Sequence, residues 1–323
     1  MNILITGITG FAGSHLADLL LSKKGVRRVY GLHRAESRLD NLKHLGGRIR
    51  LVRCDLTKVA QVKDRFKRIR PDRVYHLAGQ SYSAGSPESA SDTLRENILG
   101  GLHILEAART SVSKARVLMV GSSEEYGDGP GKKSLLDENT ELKPLTPYGV
   151  SKVAVDHLAY QYYRHYKIFT IRARPFNHTG PRQKNLFGAS SFAEQVARIE
   201  AGIQRPPVIR TGNLQAARDF TDVRDVVRAY WLLLEKGVPG EAYNICSGRK
   251  VSMRYVLDIY LENSRRRIKI QKDVSRLRVR DISGLTGDAS KLKRTTGWQP
   301  AIPLERTLLD LLDHWREKVA RSA

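Results

Sequence analysis

The chain runs to 323 residues, 56 of them lysine or arginine against 33 aspartate or glutamate, for a formal charge of +23. That length suits one large α/β unit or two lobes with a sizeable core; no run of about 18 apolar residues is present to span a bilayer, and the N-terminus lacks the charged region and cleavage site of a signal peptide, so a cytoplasmic protein with no membrane partner is expected. The cations are scattered (63–70, 265–267 and 291–294) without the interleaved aromatics of a strand-binding platform, which argues against nucleic acid and for a solvated basic surface with a few arginines reserved for phosphate.

Positions 2–6 form an apolar strand, and Gly7-Ile8-Thr9-Gly10-Phe11-Ala12-Gly13 leads from it into an amphipathic run over 15–21. Small residues there let the backbone turn tightly, approach a pyrophosphate and pack the helix on the strand. Gly7, Thr9, Gly10, Phe11, Ala12 and Gly13 are therefore expected to hold a dinucleotide at the helix N-terminus. The spacing is Gly-x-x-Gly-x-x-Gly rather than Gly-x-Gly-x-x-Gly. A second strand over 28–32 ends in His33-Arg34, where an NAD enzyme usually places an acid for the ribose hydroxyls. An arginine can pair with a 2′-phosphate instead, which predicts NADPH, with NADH as second choice; the alternative is an ordinary loop arginine.

Further strands are predicted over 49–53, 73–77 and 116–120, separated by helices over 59–69 and 89–108. This alternation implies an α/β fold with a parallel, doubly wound sheet. The loops that leave the strands carry Cys54-Asp55-Leu56, His76-Leu77-Ala78-Gly79-Gln80-Ser81 and Gly121-Ser122-Ser123, at the carboxyl edge where such sheets bind ligands. Asp55 could accept from an adenine amino group or cap a surface turn. Gln80 and Ser81 could touch a sugar or simply stabilise their turn. Cys54 and Cys246 lie in apolar surroundings with no metal-ligand spacing, and read as buried thiols.

Next comes the stretch with proton chemistry. Tyr148-Gly149-Val150-Ser151-Lys152 places a lysine one helical turn beyond a tyrosine, on the same face. A cation there favours the phenolate and is expected to lower the phenol's pKa from its usual value of about 10. With the hydroxyl of Ser122 or Ser123 as a second donor, a carbonyl or alcohol could exchange a proton. Alone, such a pair is usually a solvated helix edge; the glycine turn at the start of the chain decides for chemistry. Beyond the helix over 148–166 and a strand over 168–172, helical periodicity returns at 191–201, 223–236, 253–262 and 304–319.

Taken in order, Thr6-Gly7-x-x-Gly10-Phe11-x-Gly13, Asp55-Leu56, His76-Leu77-Ala78, Asn97, Ser122 and Tyr148-x-x-x-Lys152 resemble the extended short-chain dehydrogenase/reductase family. Within it, residues 121–127, 146–152, 174–181, 212–214, 218–225 and 243–248 are most similar to the GDP-4-keto-6-deoxy-mannose reductases. A sister family, the GDP-mannose 4,6-dehydratases, resembles this chain over 31–45 and at Ser123-Glu124, but lacks the Arg-Pro before Phe176-Asn177-His178 and the Thr-Gly-Pro after it.

The resemblance implies a Rossmann-type domain over 1–173 and a smaller, mostly substrate-binding lobe over 174–323, some segments of which return to the first. It implies NADPH held also by Arg34, Asp55, Leu56, Leu77, Ala78, Gly79, Asn97, Tyr148 and Lys152. The implied reaction is reduction of the 4-keto group of a GDP-linked 6-deoxyhexose, with Tyr148 as acid, Lys152 beside it and Ser122 on the C4 oxygen. Glu124 would be a bystander or positioning group in a reductase and the C5 base in a dehydratase. Substrate contacts are implied for Gln80, Ser81, Ser123, Asn177, Arg218, Arg278 and Asp281. At the last pair the chain reads Arg278-Val279-Arg280-Asp281 where the family has Arg-Pro-x-Glu, so a solvated charged loop is an equal alternative. His178 reads as a structural histidine. The helices over 89–108 and 148–166 could pair with their twofold mates as a four-helix bundle, which predicts a homodimer.

Overall fold

The computed structural model describes residues 1–80, 88–112, 114–129, 135–277 and 284–321. Its first part comprises β1 (Asn2–Thr6), α1 (Phe11–Leu21), β2 (Arg28–His33), β3 (Ile49–Arg53), α2 (Val59–Ile69), β4 (Arg73–His76), α3 (Glu88–Ser111), β5 (Arg116–Val120), β6 (Leu135–Leu136), α4 (Pro147–Tyr166) and β7 (Thr170–Pro175). There follow β8 (Asn177–Thr179), α5 (Gly188–Glu200), β9 (Val208–Thr211), β10 (Ala217–Asp222), α6 (Val223–Lys236), β11 (Ala242–Ile245), β12 (Lys250–Ser252), α7 (Met253–Glu262), β13 (Lys269–Lys272), β14 (Thr286–Gly287), α8 (Ser290–Thr296) and α9 (Leu304–Ala320).

Seven strands make one parallel sheet in the order β11-β7-β5-β4-β1-β2-β3. The two-residue alternation of strands sorts its side chains. Ile3 and Ile5 of β1 join Leu118 and Val120 of β5 on the face covered by α1, α6 and α8, while Leu4, Val117 and Met119 face α2, α3 and α4. Strands buried on both faces read as continuous apolar runs, which is why these segments stood out in the sequence. Each fully buried leucine or isoleucine contributes roughly 1.5–3 kcal/mol. Strand order reverses between β1 and β4, so the loops after Thr6 and His76 open a crevice at the sheet's carboxyl edge.

A third apolar cluster joins α5, α7 and α9 through residues such as Phe192, Leu257, Leu311 and Trp315. It carries the three-stranded sheet β12-β10-β8 and the pair β13-β9. The chain crosses to this cluster after β7, then returns: α6, β11 and α8 all pack on the large sheet. The chain therefore supplies the last strand of the large sheet only after β8, α5 and β10 of the second cluster, and then returns to that cluster with β12, α7, β13 and α9.

Candidate functional site

A crevice of about 2920 Å³ extends from the turn after β1, past the ends of β4 and β5, to the α5/β10 side of the second cluster. At its first end Gly7 has φ +70°, and a Cβ there would lie 2.8 Å from the Ala78 amide nitrogen. Gly10 donates its amide to the Gly7 carbonyl at 3.0 Å, and a Cβ on Gly13 would sit 2.2 Å from that same oxygen. At Gly7 and Gly13 only glycine fits, because the added atom would press on backbone. Helix α1 begins at Phe11 with no side-chain cap, so its first amides face the crevice beside Thr9, Gly10 and Ala12, an arrangement suited to a diphosphate. These features fit a dinucleotide.

Along the adenosine side, Arg34 is exposed and its guanidinium meets Glu36 at 3.0 Å and Glu96 of α3 at 3.1 Å. Arg38, Arg53 and Arg65 share that wall. One carboxylate oxygen of Asp55 accepts the Thr57 hydroxyl (2.7 Å) and amide (2.9 Å), bonds that hold its pKa below the usual carboxylate range. Asp55 thus caps its own turn while lining the crevice with Leu56. Leu77, Ala78 and Gly79 form the floor, and Ala78 donates to the Thr6 hydroxyl at 3.1 Å.

Asn97 lies beneath that floor, buried, rather than on it. It accepts from the Gln80 amide (2.8 Å) and donates to the Ser151 hydroxyl (2.9 Å), which in turn donates to the Tyr148 carbonyl (2.7 Å). It therefore ties the floor loop to the helix of Tyr148 and Lys152. The Gln80 side chain accepts from Thr93 at 3.1 Å, a turn-stabilising contact outside the crevice lining. Ser81, Arg278 and Asp281 lie outside the described residues.

Thr146 opens α4, accepting the Gly149 amide at 2.9 Å with Pro147 in the first turn. This cap aims Tyr148 into the crevice, which Ser122 also lines. Burial pushes the phenol's pKa above its ordinary value; the Glu124 charge adds to this and Ser122 opposes it. The expected lowering by Lys152 does not materialise, and the phenol keeps its proton. The Lys152 ammonium donates to the Val120 carbonyl at 2.8 Å and sits 5.7 Å from the Tyr148 ring centroid. Burial brings its pKa down to about 8, against the pull of Glu125. Glu124 and Ser123 line the crevice, and Glu124 accepts the Thr146 hydroxyl at 3.0 Å.

On the far wall stand Asn177 of β8 and Arg218 of β10, with Arg182, Lys184, Arg198, Arg276 and Lys318. A row of cations suits a second diphosphate. Sequence reasoning missed Arg182 and Arg276. Arg182, with φ +73°, reaches back across the crevice to Asp18 (2.5 Å) and His15 (3.0 Å) of α1, and Arg276 donates to Ser191 at 3.1 Å. His178 is stacked on Phe11 with ring centroids 5.8 Å apart, and burial lowers its pKa, so it is neutral. Thr146 was also missed, although a threonine before proline at a helix start is a recognisable cap.

The family model described as GDP-mannose 4,6 dehydratase matches residues 4–311. GDP-6-deoxy-D-mannose reductase of Pseudomonas aeruginosa is 32% identical over 98% of both chains. GDP-mannose 4,6 dehydratase 2 of Arabidopsis thaliana is 32% identical over 98% of this chain and 87% of its own. Among solved structures, RMD from Pseudomonas aeruginosa complexed with NADPH aligns with a TM-score of 0.82 at 30% identity, covering 98% of this chain and 99% of that one.

Proposed function

Because the chain belongs to the GDP-mannose 4,6-dehydratase family, we propose that it reduces the 4-keto group of GDP-4-keto-6-deoxy-D-mannose with NADPH, giving GDP-D-rhamnose. The observation that carries this reading is the Tyr148 phenol, kept protonated by burial, in one crevice with Ser122, with a dinucleotide turn at one end and a row of cations at the other. The reductase relative, similar over nearly its full length, supports the same choice.

NADPH, when bound, supplies the hydride. Gly7, Gly10 and Gly13 would receive its diphosphate at the start of α1, and Arg34, Arg38 or Arg65 its 2′-phosphate. Ser122 and Tyr148 orient the keto oxygen as hydrogen-bond donors, and Tyr148 passes its proton to the alkoxide as it forms. Lys152, anchored on the Val120 carbonyl beneath the ring, then favours the phenolate left behind. Arg218 and its neighbouring cations would hold the nucleotide diphosphate.

A second reading rests on Glu124. Its carboxylate faces the crevice and is steadied by Thr146, a placement that suits a base removing a C5 proton, as a dehydratase requires. Two incubations separate the readings. Stoichiometric NADPH oxidation on the keto-sugar supports the reductase, whereas conversion of GDP-mannose to the keto-sugar without net cofactor use supports the dehydratase. We further propose a cytoplasmic homodimer built on α3 and α4, because Val150 (45% exposed) and Tyr160 (38%) leave apolar surface outward on α4. A light-scattering mass of one chain would remove the dimer.

A further inference from the structure

Directly behind Ser122, Tyr148 and Lys152 sits an acid that the proposed reaction does not use. Glu125 is 0% exposed, and its Oε1 accepts the Ser122 amide at 2.7 Å while the Ser122 hydroxyl accepts the Glu124 amide at 3.1 Å. This reciprocal cap holds the serine in extended backbone, its hydroxyl beside the phenol. The residue before it must be glycine: a Cβ on Gly121 would lie 2.1 Å from Glu125 Oε1.

The second oxygen, Oε2, has no hydrogen-bond partner among the described residues, and its nearest cation is Arg174 Nε of β7 at 3.2 Å. That arginine is already committed. It donates to Asp156 at 3.0 and 3.1 Å, and Asp156 also takes Arg172 at 2.7 Å. Two buried carboxylates therefore lie against the Arg174 guanidinium, which donates to Asp156, to the Tyr126 hydroxyl and to the Glu138 carbonyl but makes no hydrogen bond to Glu125. From α4, Lys152, Tyr148 and Asp156 face Glu125; from β7, Arg174 does; its own segment adds Tyr126, and His76 of β4 faces Lys152. A buried charge left short of hydrogen bonds is costly, so this carboxyl responds to its neighbours' charge.

Resting on the reductase reading above, we propose that Glu125 is a positioning residue: through the Ser122 amide and the Lys152 ammonium, its carboxyl sets the serine's orientation and the lysine's charge at the proton-transfer site. Burial, and then Asp156, raise its pKa above the ordinary carboxyl value, while Lys152 and Arg174 lower it; reciprocally, ionised Glu125 holds the Lys152 pKa up. Removing the carboxylate therefore lets the ammonium lose its proton at lower pH.

The test compares parent and Glu125→Gln, whose amide oxygen can still accept from Ser122 but carries no charge. Three quantities are followed from pH 5.5 to 10: kcat/KM on the keto-sugar, NADPH affinity by fluorescence, and the unfolding midpoint of the cofactor-free chain. The alkaline limb of kcat/KM should move down by about one pH unit, so that activity falls roughly tenfold at pH 8.5 and less than threefold at pH 6. NADPH affinity should show the same displaced limb. A carboxyl with a raised folded pKa takes up a proton on folding, so the parent loses stability as pH climbs past the ordinary carboxyl range; Glu125→Gln should flatten that slope. Superimposable pH profiles, or a loss of activity uniform across pH with a lowered midpoint, would reduce Glu125 to a packing element and overturn the proposal. If Glu125→Gln does not fold, Glu125→Met, uncharged and of similar length, carries the same expectation. If the parent oxidises no NADPH on the keto-sugar, the reductase reading falls, and the limb in NADPH affinity still decides for or against Glu125.

Discussion

Adding one methyl group at Gly13 should cripple cofactor binding more than it harms the fold. A Cβ there would stand 2.2 Å from the Gly7 carbonyl oxygen, 2.8 Å from Ile8 Cα and 2.9 Å from the Gly7 carbonyl carbon, all backbone atoms that no rotamer change can move. To restore ordinary contact, the start of α1 must retreat from the β1 turn by on the order of 1 Å, carrying its amides away from where a diphosphate would sit. Overpacking of this kind costs about 1–3 kcal/mol. If that penalty falls on the bound state, the NADPH dissociation constant rises roughly 5- to 150-fold. If it falls on folding instead, an unfolding entropy of about 2.1 cal/mol/K per residue over 323 residues converts it to a drop of roughly 2–4 °C. Fluorescence titration with NADPH and a thermal melt of Gly13→Ala measure both. The control is Gly47→Ala, where a Cβ meets nothing within 4 Å, and both quantities should be unchanged. Parent-like NADPH affinity in Gly13→Ala would refute the assignment of this turn as the diphosphate cradle.

Three other outcomes are expected. Tyr148→Phe should lower kcat by about 10²–10⁴ while leaving NADPH affinity and melting temperature near the parent's, since only the phenol's hydroxyl is lost from the crevice; turnover within tenfold of the parent would show that another group delivers the proton. In the parent, kcat/KM should fall as pH rises through about 8, because the buried ammonium of Lys152 is present below that value and lost above it; a plateau to pH 10 would contradict this. Arg174→Met leaves the buried carboxylates of Asp156 and Glu125 short of a cation and should destabilise the chain by about 3–5 kcal/mol, read by urea denaturation, with a loss under 1 kcal/mol counting against that network.

How much was legible beforehand depended on the range of the interactions concerned. The glycine turn, the strand and helix periods and the tyrosine-lysine pair are encoded within a dozen residues, and each was found where it was expected. Thr146 was equally local and simply overlooked. Arg34 could be read only as a cation near a strand end, because its partner Glu96 lies 62 residues away on α3. Asn97, expected on the cofactor, is buried under the floor loop, where it fastens Gln80, 17 residues before it, to Ser151, 54 residues after it. The lowered phenol pKa expected from Lys152 failed for the same reason. Helical spacing predicts that two side chains are neighbours, but the sign of the shift comes from burial and from Glu124, which the fold delivers on a different segment.

The order of residues by itself determined the parallel sheet, the crevice at its carboxyl edge and the placing of Tyr148 and Lys152 one helical turn apart in it, because backbone turns and two- or 3.6-residue periods act through neighbours in the chain. Tertiary structure alone decided that Arg182 bridges 164 residues to Asp18, and that Glu125, Arg174 and Asp156 meet behind Ser122. Desolvation and charge pairing depend on which groups the closed fold brings within a few ångströms, and no local pattern carries that information.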